Sequence, residues 1–163
     1  MNNFARIIAS MTIAGAGCLA ISSAQAIETK PTLTLAVAKK MGEACEQKAK
    51  AEGWKMNIAV MDDGGNLKFF SRMDDSFLVS VRISQLKAST SASLPLSSRK
   101  FGEIAKQNQG LELVPGVVTF GGGFPIMTGG GKQIGGIGVS GASAEQDEVC
   151  AQAGLDAVKD DLK

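Results

Sequence analysis

The 163-residue chain contains no histidine and no tyrosine, and aromatic residues make up only 5% of it. Histidine is the commonest metal ligand, the commonest general base and the usual haem ligand. Its absence argues against a serine-hydrolase triad and a zinc site, so we predict no metal site. The shortage of aromatic rings also argues against stacking on nucleic-acid bases.

The chain also has very little net charge. The formal charge is +1 at pH 7. Loss of Arg6 with the leader described next would bring it to zero. An uncharged domain does not attract nucleic acid or an anionic membrane surface electrostatically. We therefore expect no nucleic-acid partner.

Residues 1–26 have the pattern of a secretory signal peptide. Arg6 precedes an apolar stretch over 7–21, and Ala24 and Ala26 form an A-x-A cleavage site. The stretch is shorter than the ~20 residues that span a bilayer. We expect a mature domain over 27–163 that is periplasmic or secreted and does not associate with the membrane after cleavage.

Two cysteines, Cys45 and Cys150, follow the predicted cleavage site. In an oxidising compartment two cysteines suggest one disulfide. The alternative is two buried free thiols.

Periodicity and turn signals predict an α+β domain. Strands joined by tight turns pair antiparallel, which gives a five-stranded, mainly antiparallel sheet covered by helices. The predicted elements are a helix over 32–52, strands over 55–61 and 67–73, helices over 77–93 and 97–108, strands over 117–120, 124–127 and 134–139, and a helix capped by Ser143.

Ten of the twenty glycines lie between Gly121 and Gly141. Gly136 to Gly141 match G-x-G-x-x-G, but a dinucleotide site needs a following βαβ unit, and only one helix follows. We interpret these glycines as positions of close sheet packing and bending. Where backbone lies bare at Gly121–Gly123, a ligand can approach closely.

Charged residues supply the other candidates. Glu145, Asp147 and Glu148 crowd the start of the last helix, where the helix dipole favours each by ~0.3–1 kcal/mol. Alternatively, one carboxylate turns inward over the Gly121–Gly123 bend as a ligand contact or proton acceptor.

Two basic residues are also candidates. Lys87 and Arg72 are either exposed or bind an anionic group such as a carboxylate. Met61, Met73 and Met127 suit packing, although a thioether can also ligate haem iron.

A set of short motifs, in order and spacing, resembles the GlcG/HbpS-like haem-binding family, whose domain also occurs at the C-terminus of PduO-type proteins. They are IAVMDDGGNL from Ile58, LKAST from Leu86, GGGFP from Gly121 and IGVSGA from Ile137. The resemblance implies a profilin-like fold, a homo-oligomer, and haem as the first candidate ligand, without histidine ligation. The candidate ligand-binding residues are Arg72, Lys87, Gly121, Gly122, Gly123, Pro125 and Glu145.

In a profilin-like arrangement the first and last helices lie side by side on one face of the sheet. Cys45 and Cys150 lie on the apolar stripes of these helices, so the resemblance implies a disulfide between them.

Three functions remain open. The first is haem or other small-ligand binding, which an apolar slot near a methionine would favour. The second is a cofactor-free isomerase or hydratase of a small organic acid, in which Lys87 holds the carboxylate and Asp147 or Glu148 moves the proton. A buried lysine facing a carboxylate would favour that enzyme. The third is a structural homo-oligomer.

Overall fold

The computed structural model describes residues 29–163, and the predicted signal peptide lies outside the described residues. In chain order the elements are α1 (Leu35–Ala51), β1 (Asn57–Asp62), β2 (Leu67–Arg72), α2 (Leu78–Ser93), α3 (Ser98–Gln107), β3 (Gly123–Met127), β4 (Gln133–Ser140) and α4 (Ala144–Ala157), with a short 3-10 helix at Leu111–Leu113. The strands form one antiparallel sheet in the order β2-β1-β4-β3.

The α+β class is confirmed, but the prediction of five strands is wrong, because the sheet has four. Segment 117–120 was expected to be a strand. Its backbone bonds instead to helix side chains: the Val118 N–H donates to Thr90 Oγ1 at 2.9 Å, and the Phe120 carbonyl accepts from the Ser98 hydroxyl at 2.7 Å. These helix contacts hold the segment against α2 and α3 rather than in the sheet.

Helix α2 packs on one face of the sheet at backbone distance. A Cβ added at Gly136 would lie 2.5 Å from the Ala88 carbonyl oxygen, and one at Gly138 would overlap the Ser84 carbonyl. Side chains at these positions would therefore push α2 away from β4. The G-x-G pattern lies inside a strand and serves helix packing.

Helices α1 and α4 cover the opposite face, where the main hydrophobic core forms. Ile58 and Val60 of β1 and Ile137 of β4 are fully buried there. The predicted disulfide between Cys45 and Cys150 is present, with Cα atoms 4.7 Å apart. It joins α1 to α4 and fixes α4, which positions both sites described below.

Candidate functional sites

A buried ion pair lies beside the end of β4. Lys87 of α2 and Asp147 of α4 are 1% and 2% exposed, and Lys87 Nζ lies 2.6 Å from Asp147 Oδ2. Lys87 Nζ also donates to the Val139 carbonyl at 2.9 Å, and its third neighbour is the Phe120 ring, with the centroid at 5.1 Å. We call Lys87, Asp147 and Phe120 the polar centre.

Local sequence places Asp147 where it can meet Lys87. Ser143 caps α4 and forms a capping box with Gln146, which fixes the first helical turn. Asp147 lies in that turn and points inward, where its Oδ1 accepts the Ala142 N–H at 3.2 Å. The lysine reaches the same point because α2 packs so closely on β4.

A glycine bend covers the ion pair. Gly122 has φ +116°, and a Cβ there would lie 2.6 Å from Lys87 Nζ and 2.9 Å from Asp147 Cβ. The bend is held by Ser98, whose hydroxyl accepts the Gly123 N–H at 2.9 Å and donates to the Phe120 carbonyl. Residue 122 must be glycine for both its φ and its space.

Burial shifts the pKa values of Lys87 and Asp147 in the directions that favour their neutral forms. Desolvation lowers the pKa of Lys87, and the attraction of Asp147 acts in the opposite direction. Desolvation likewise raises the pKa of Asp147, opposed by Lys87 and by backbone N–H donors. Two neighbouring groups whose pKa values are moved toward each other are suited to exchange protons.

The other two carboxylates of the α4 start point outward. Arg99 of α3 bonds Glu148 at 2.7 Å and Glu145 at 3.0 Å. A hydrogen bond from its own backbone N–H, followed by Arg99, lowers the pKa of Glu145. Of the three candidates, Asp147 alone lies against the Gly121–Gly123 bend from inside, whereas the Glu148 carboxylate approaches Gly121 from outside.

An open cavity of about 270 Å³ lies outside the polar centre. Phe120, 44% exposed, lines this cavity while its ring contacts Lys87. Lys106 lines both this cavity and an adjoining one of about 300 Å³. Phe120 is therefore a neighbour of both the cavity and the buried lysine.

A second, apolar cavity of about 310 Å³ lies between β3 and α4. Its apolar wall includes Met127, Pro125 and Leu155, and Lys159 stands at its rim. The Gly129 N–H donates to the Leu162 carbonyl at 2.6 Å, which ties the end of the chain to the β3–β4 turn. We call this cavity the Met127 slot.

The predicted site residues are thus divided. Gly121, Gly122 and Gly123 gather with Lys87 and Asp147, and Pro125 lines the Met127 slot. Arg72 joins neither, since it lies on edge strand β2 and donates to the Ser76 carbonyl at 3.4 Å. Met61 and Met73 are buried packing residues.

Sequence reasoning missed Arg99, Phe120, Leu155 and Lys159 as site residues. Phe120 could have been suspected because it directly precedes the glycine bend. The others are brought into place by tertiary contacts and have no local signal. Over residues 29–163 no group of three or more cysteines or carboxylates is arranged to hold a metal ion, and no helix is long and apolar enough to span a bilayer.

The family model described as "Haem degrading protein HbpS-like" matches residues 33–156. The chain belongs to the HbpS-like family. This confirms the resemblance inferred from the motifs.

Two kinds of relative match this HbpS-like chain over most of their length. An uncharacterised 15.0 kDa protein of Citrobacter freundii, from the dhaT–dhaS intergenic region, is 40% identical over 130 residues, covering 77% of this chain and 91% of that protein. GlcG of Escherichia coli K12 is 34% identical over 115 residues, covering 70% and 85%.

Solved structures share the fold. The crystal structure of HbpS has a TM-score of 0.78 at 30% identity, covering 82% of this chain and 94% of that chain. The crystal structure of a PduOC:haem complex has a TM-score of 0.73 at 30% identity, covering 78% and 95%.

Proposed function

We propose that this HbpS-like protein binds haem in the Met127 slot without a histidine ligand. The observation that carries the proposal is an apolar slot with a methionine on its wall, in a chain whose family is described as haem-degrading. A similar solved structure is a haem complex. The proposal for this chain is haem binding, and it does not include haem degradation.

The side chains of the slot fit haem chemically. Pro125 and Leu155 provide apolar contact for a macrocycle, and the Met127 thioether is a soft donor of the kind that ligates haem iron. The Lys159 ammonium at the rim is suited to a propionate. When bound, haem supplies an iron centre for electron transfer or oxygen chemistry. The slot is at the small end of the ~300–1,000 Å³ typical of ligand cavities, so we expect part of the macrocycle to stay exposed.

Haemin titration followed by absorption tests the iron ligand. We expect saturable uptake by the wild type, and an altered Soret band with weaker binding in Met127→Leu. Met61→Leu is the matched control, because Met61 is buried against α2 instead. A bis-histidine-like spectrum would contradict the ligand assignment. No uptake at tens of micromolar, about 6–7 kcal/mol of binding free energy, would remove haem.

The propionate contact is tested separately. Lys159→Gln should weaken haemin binding severalfold and leave the Soret maximum unchanged, because the lysine contacts no iron. Lys68→Gln should bind like the wild type, since Lys68 lies on β2 at the other edge of the sheet. Equal affinities in the two variants would place the propionates elsewhere.

We also propose a periplasmic or secreted location and a homo-oligomeric state. The Cys45–Cys150 disulfide supports an oxidising compartment, and the signal-like pattern over 1–26 supports export. Phe77, Leu78 and Val79 are more than 60% exposed, which supports self-association. Native mass spectrometry of protein from the periplasm should give a subunit starting at Ile27 and a mass of several subunits. An uncleaved chain, or a monomer at high concentration, would contradict the respective claim.

A further inference from the structure

The polar centre has a feature that stability alone does not require. Replacing a buried ion pair by well-packed apolar residues is often neutral or stabilising. Lys87 and Asp147 nevertheless lie 2.6 Å apart at 1% and 2% exposure, where Lys87 donates to the Val139 carbonyl and Asp147 accepts the Ala142 N–H. Such a pair directly beneath an open cavity is a candidate for chemistry.

The cover over the pair includes one half-exposed side chain. The backbone of β4 and the Gly122 bend lie directly against the pair. Phe120 also lies against it, with its ring centroid 5.1 Å from Lys87 Nζ, and the same residue lines the open cavity. Rotation of this side chain would connect the cavity to the ion pair without breaking a protein hydrogen bond, because a phenyl ring makes none.

We propose that the polar centre is a proton-transfer site for a small 2-oxo acid, reached when the substrate displaces the Phe120 ring. The substrate carbonyl replaces the ring as the third neighbour of the Lys87 ammonium. The substrate carboxylate pairs with Lys106 at the cavity wall. Arg99 is not assigned this role, because Glu145 and Glu148 already neutralise it.

The chemistry balances without a cofactor. The Asp147 carboxylate takes a proton from the carbon next to the carbonyl, so the C–H bond breaks. Its electron pair forms a C=C bond, and negative charge moves to the carbonyl oxygen. The Lys87 ammonium stabilises that oxygen by a hydrogen bond. Return of the proton from Asp147 to carbon restores the 2-oxo acid. In D₂O the proton held by Asp147 first exchanges with solvent through the opened cavity, so that a deuteron is returned to carbon.

Pyruvate in D₂O is the probe, and loss of its methyl proton signal is the readout. We expect exchange above the buffer rate with haem-free wild type and faster exchange with Phe120→Ala. Asp147→Asn, which is nearly isosteric, should slow exchange by about 10²-fold or more. Phe77→Ala is the matched control, because Phe77 is an exposed ring at the N-cap of α2 that does not line the cavity, and it should exchange like the wild type.

Two further variants separate this site from a structural role. Lys106→Gln leaves the ion pair intact and should raise the pyruvate concentration for half-maximal rate without changing the limiting rate. Lys68→Gln, on edge strand β2, should exchange like the wild type. Exchange at the buffer rate in both wild type and Phe120→Ala would overturn the proposal, as would wild-type exchange in a folded Asp147→Asn variant.

Discussion

The polar centre and the Met127 slot both lie along helix α4, but one buries charged side chains and the other exposes apolar ones. Asp147 stands in the first turn of α4, where charges are buried and paired within the protein. Leu155 stands near the end of α4, where apolar side chains line a cavity open to solvent. In the first region all partners are internal, whereas in the second the partner must come from outside. The comparison teaches that buried charge and open apolar surface are independent signs of function.

The two regions also differ in what holds them. The polar centre depends on three segments distant in sequence: α2, the glycine bend and the start of α4. The slot is formed by edge strand β3 with the turn after it, and by helix α4 with the residues that follow it. We therefore expect substitutions in the polar centre to affect folding, and those in the slot to affect ligand binding.

The largest expected effect is that of breaking the ion pair. Lys87→Met leaves the Asp147 carboxylate buried without its partner and should lower the free energy of unfolding by about 3–5 kcal/mol. The double variant Lys87→Met with Asp147→Leu should recover most of this loss, because no charge stays buried. Urea denaturation of the three proteins measures both values. A single variant as stable as the wild type would mean that the pair is not closed as described.

Next in size is the disulfide, which anchors the helix shared by both regions. Cys150→Ser should lower the free energy of unfolding by about 2–4 kcal/mol under oxidising conditions, because the bond links cysteines 105 residues apart. Under reducing conditions wild type and variant should denature almost together. A thiol count on unfolded, unreduced wild type provides the check, and two free thiols would be incompatible with this prediction.

In the slot the effect on stability should be small. Met127→Leu preserves apolar volume and should change the free energy of unfolding by less than about 1.5 kcal/mol. The same variant is expected to alter haemin binding, so the two measurements together distinguish a ligand surface from a packing position. A loss as large as that of Lys87→Met would remove the contrast between the regions.

The smallest effect is on pH dependence, because each group of the pair offsets much of the other's desolvation. Above the ordinary pKa of an aspartate and up to its raised value, folded Asp147 keeps a proton that the unfolded chain loses, so stability falls as pH rises. Between the lowered pKa of Lys87 and its ordinary value, the unfolded chain keeps the extra proton, so stability rises with pH. The difference in free energy of unfolding between wild type and Lys87→Met with Asp147→Leu should show this shallow minimum across pH, because the other titrating groups are common to both proteins.

Much of the fold could be predicted because its signals are local. Thr34, Ser97 and Ser143 accept backbone N–H groups at the starts of their helices, as short polar side chains before apolar periodicity indicate. The prediction of a fifth strand was wrong although Val118 has strand propensity. The Val118 N–H donates to Thr90 on α2 instead of to a neighbouring strand. Hydrogen bonds to distant helices therefore determine the conformation of segment 117–120.

The candidate sites could be predicted only in part. Asp147 was named among three carboxylates, and Lys87 was named as a pocket ammonium, but their pairing depends on the close packing of α2 on β4. Arg99 and Lys159 have no local pattern, because their neighbours come from distant segments. Pro125 was predicted from a motif and placed in a different site from the glycines beside it.

Pro125 also limits how the sheet can grow. It lies on β3, an outer strand, where the missing N–H of a proline faces away from the sheet. A strand from another molecule would lack a donor at that position, which discourages fibril-like addition along this edge. Strand addition at the other edge, β2, meets charged side chains instead of a missing donor, since that strand carries Lys68 and Arg72.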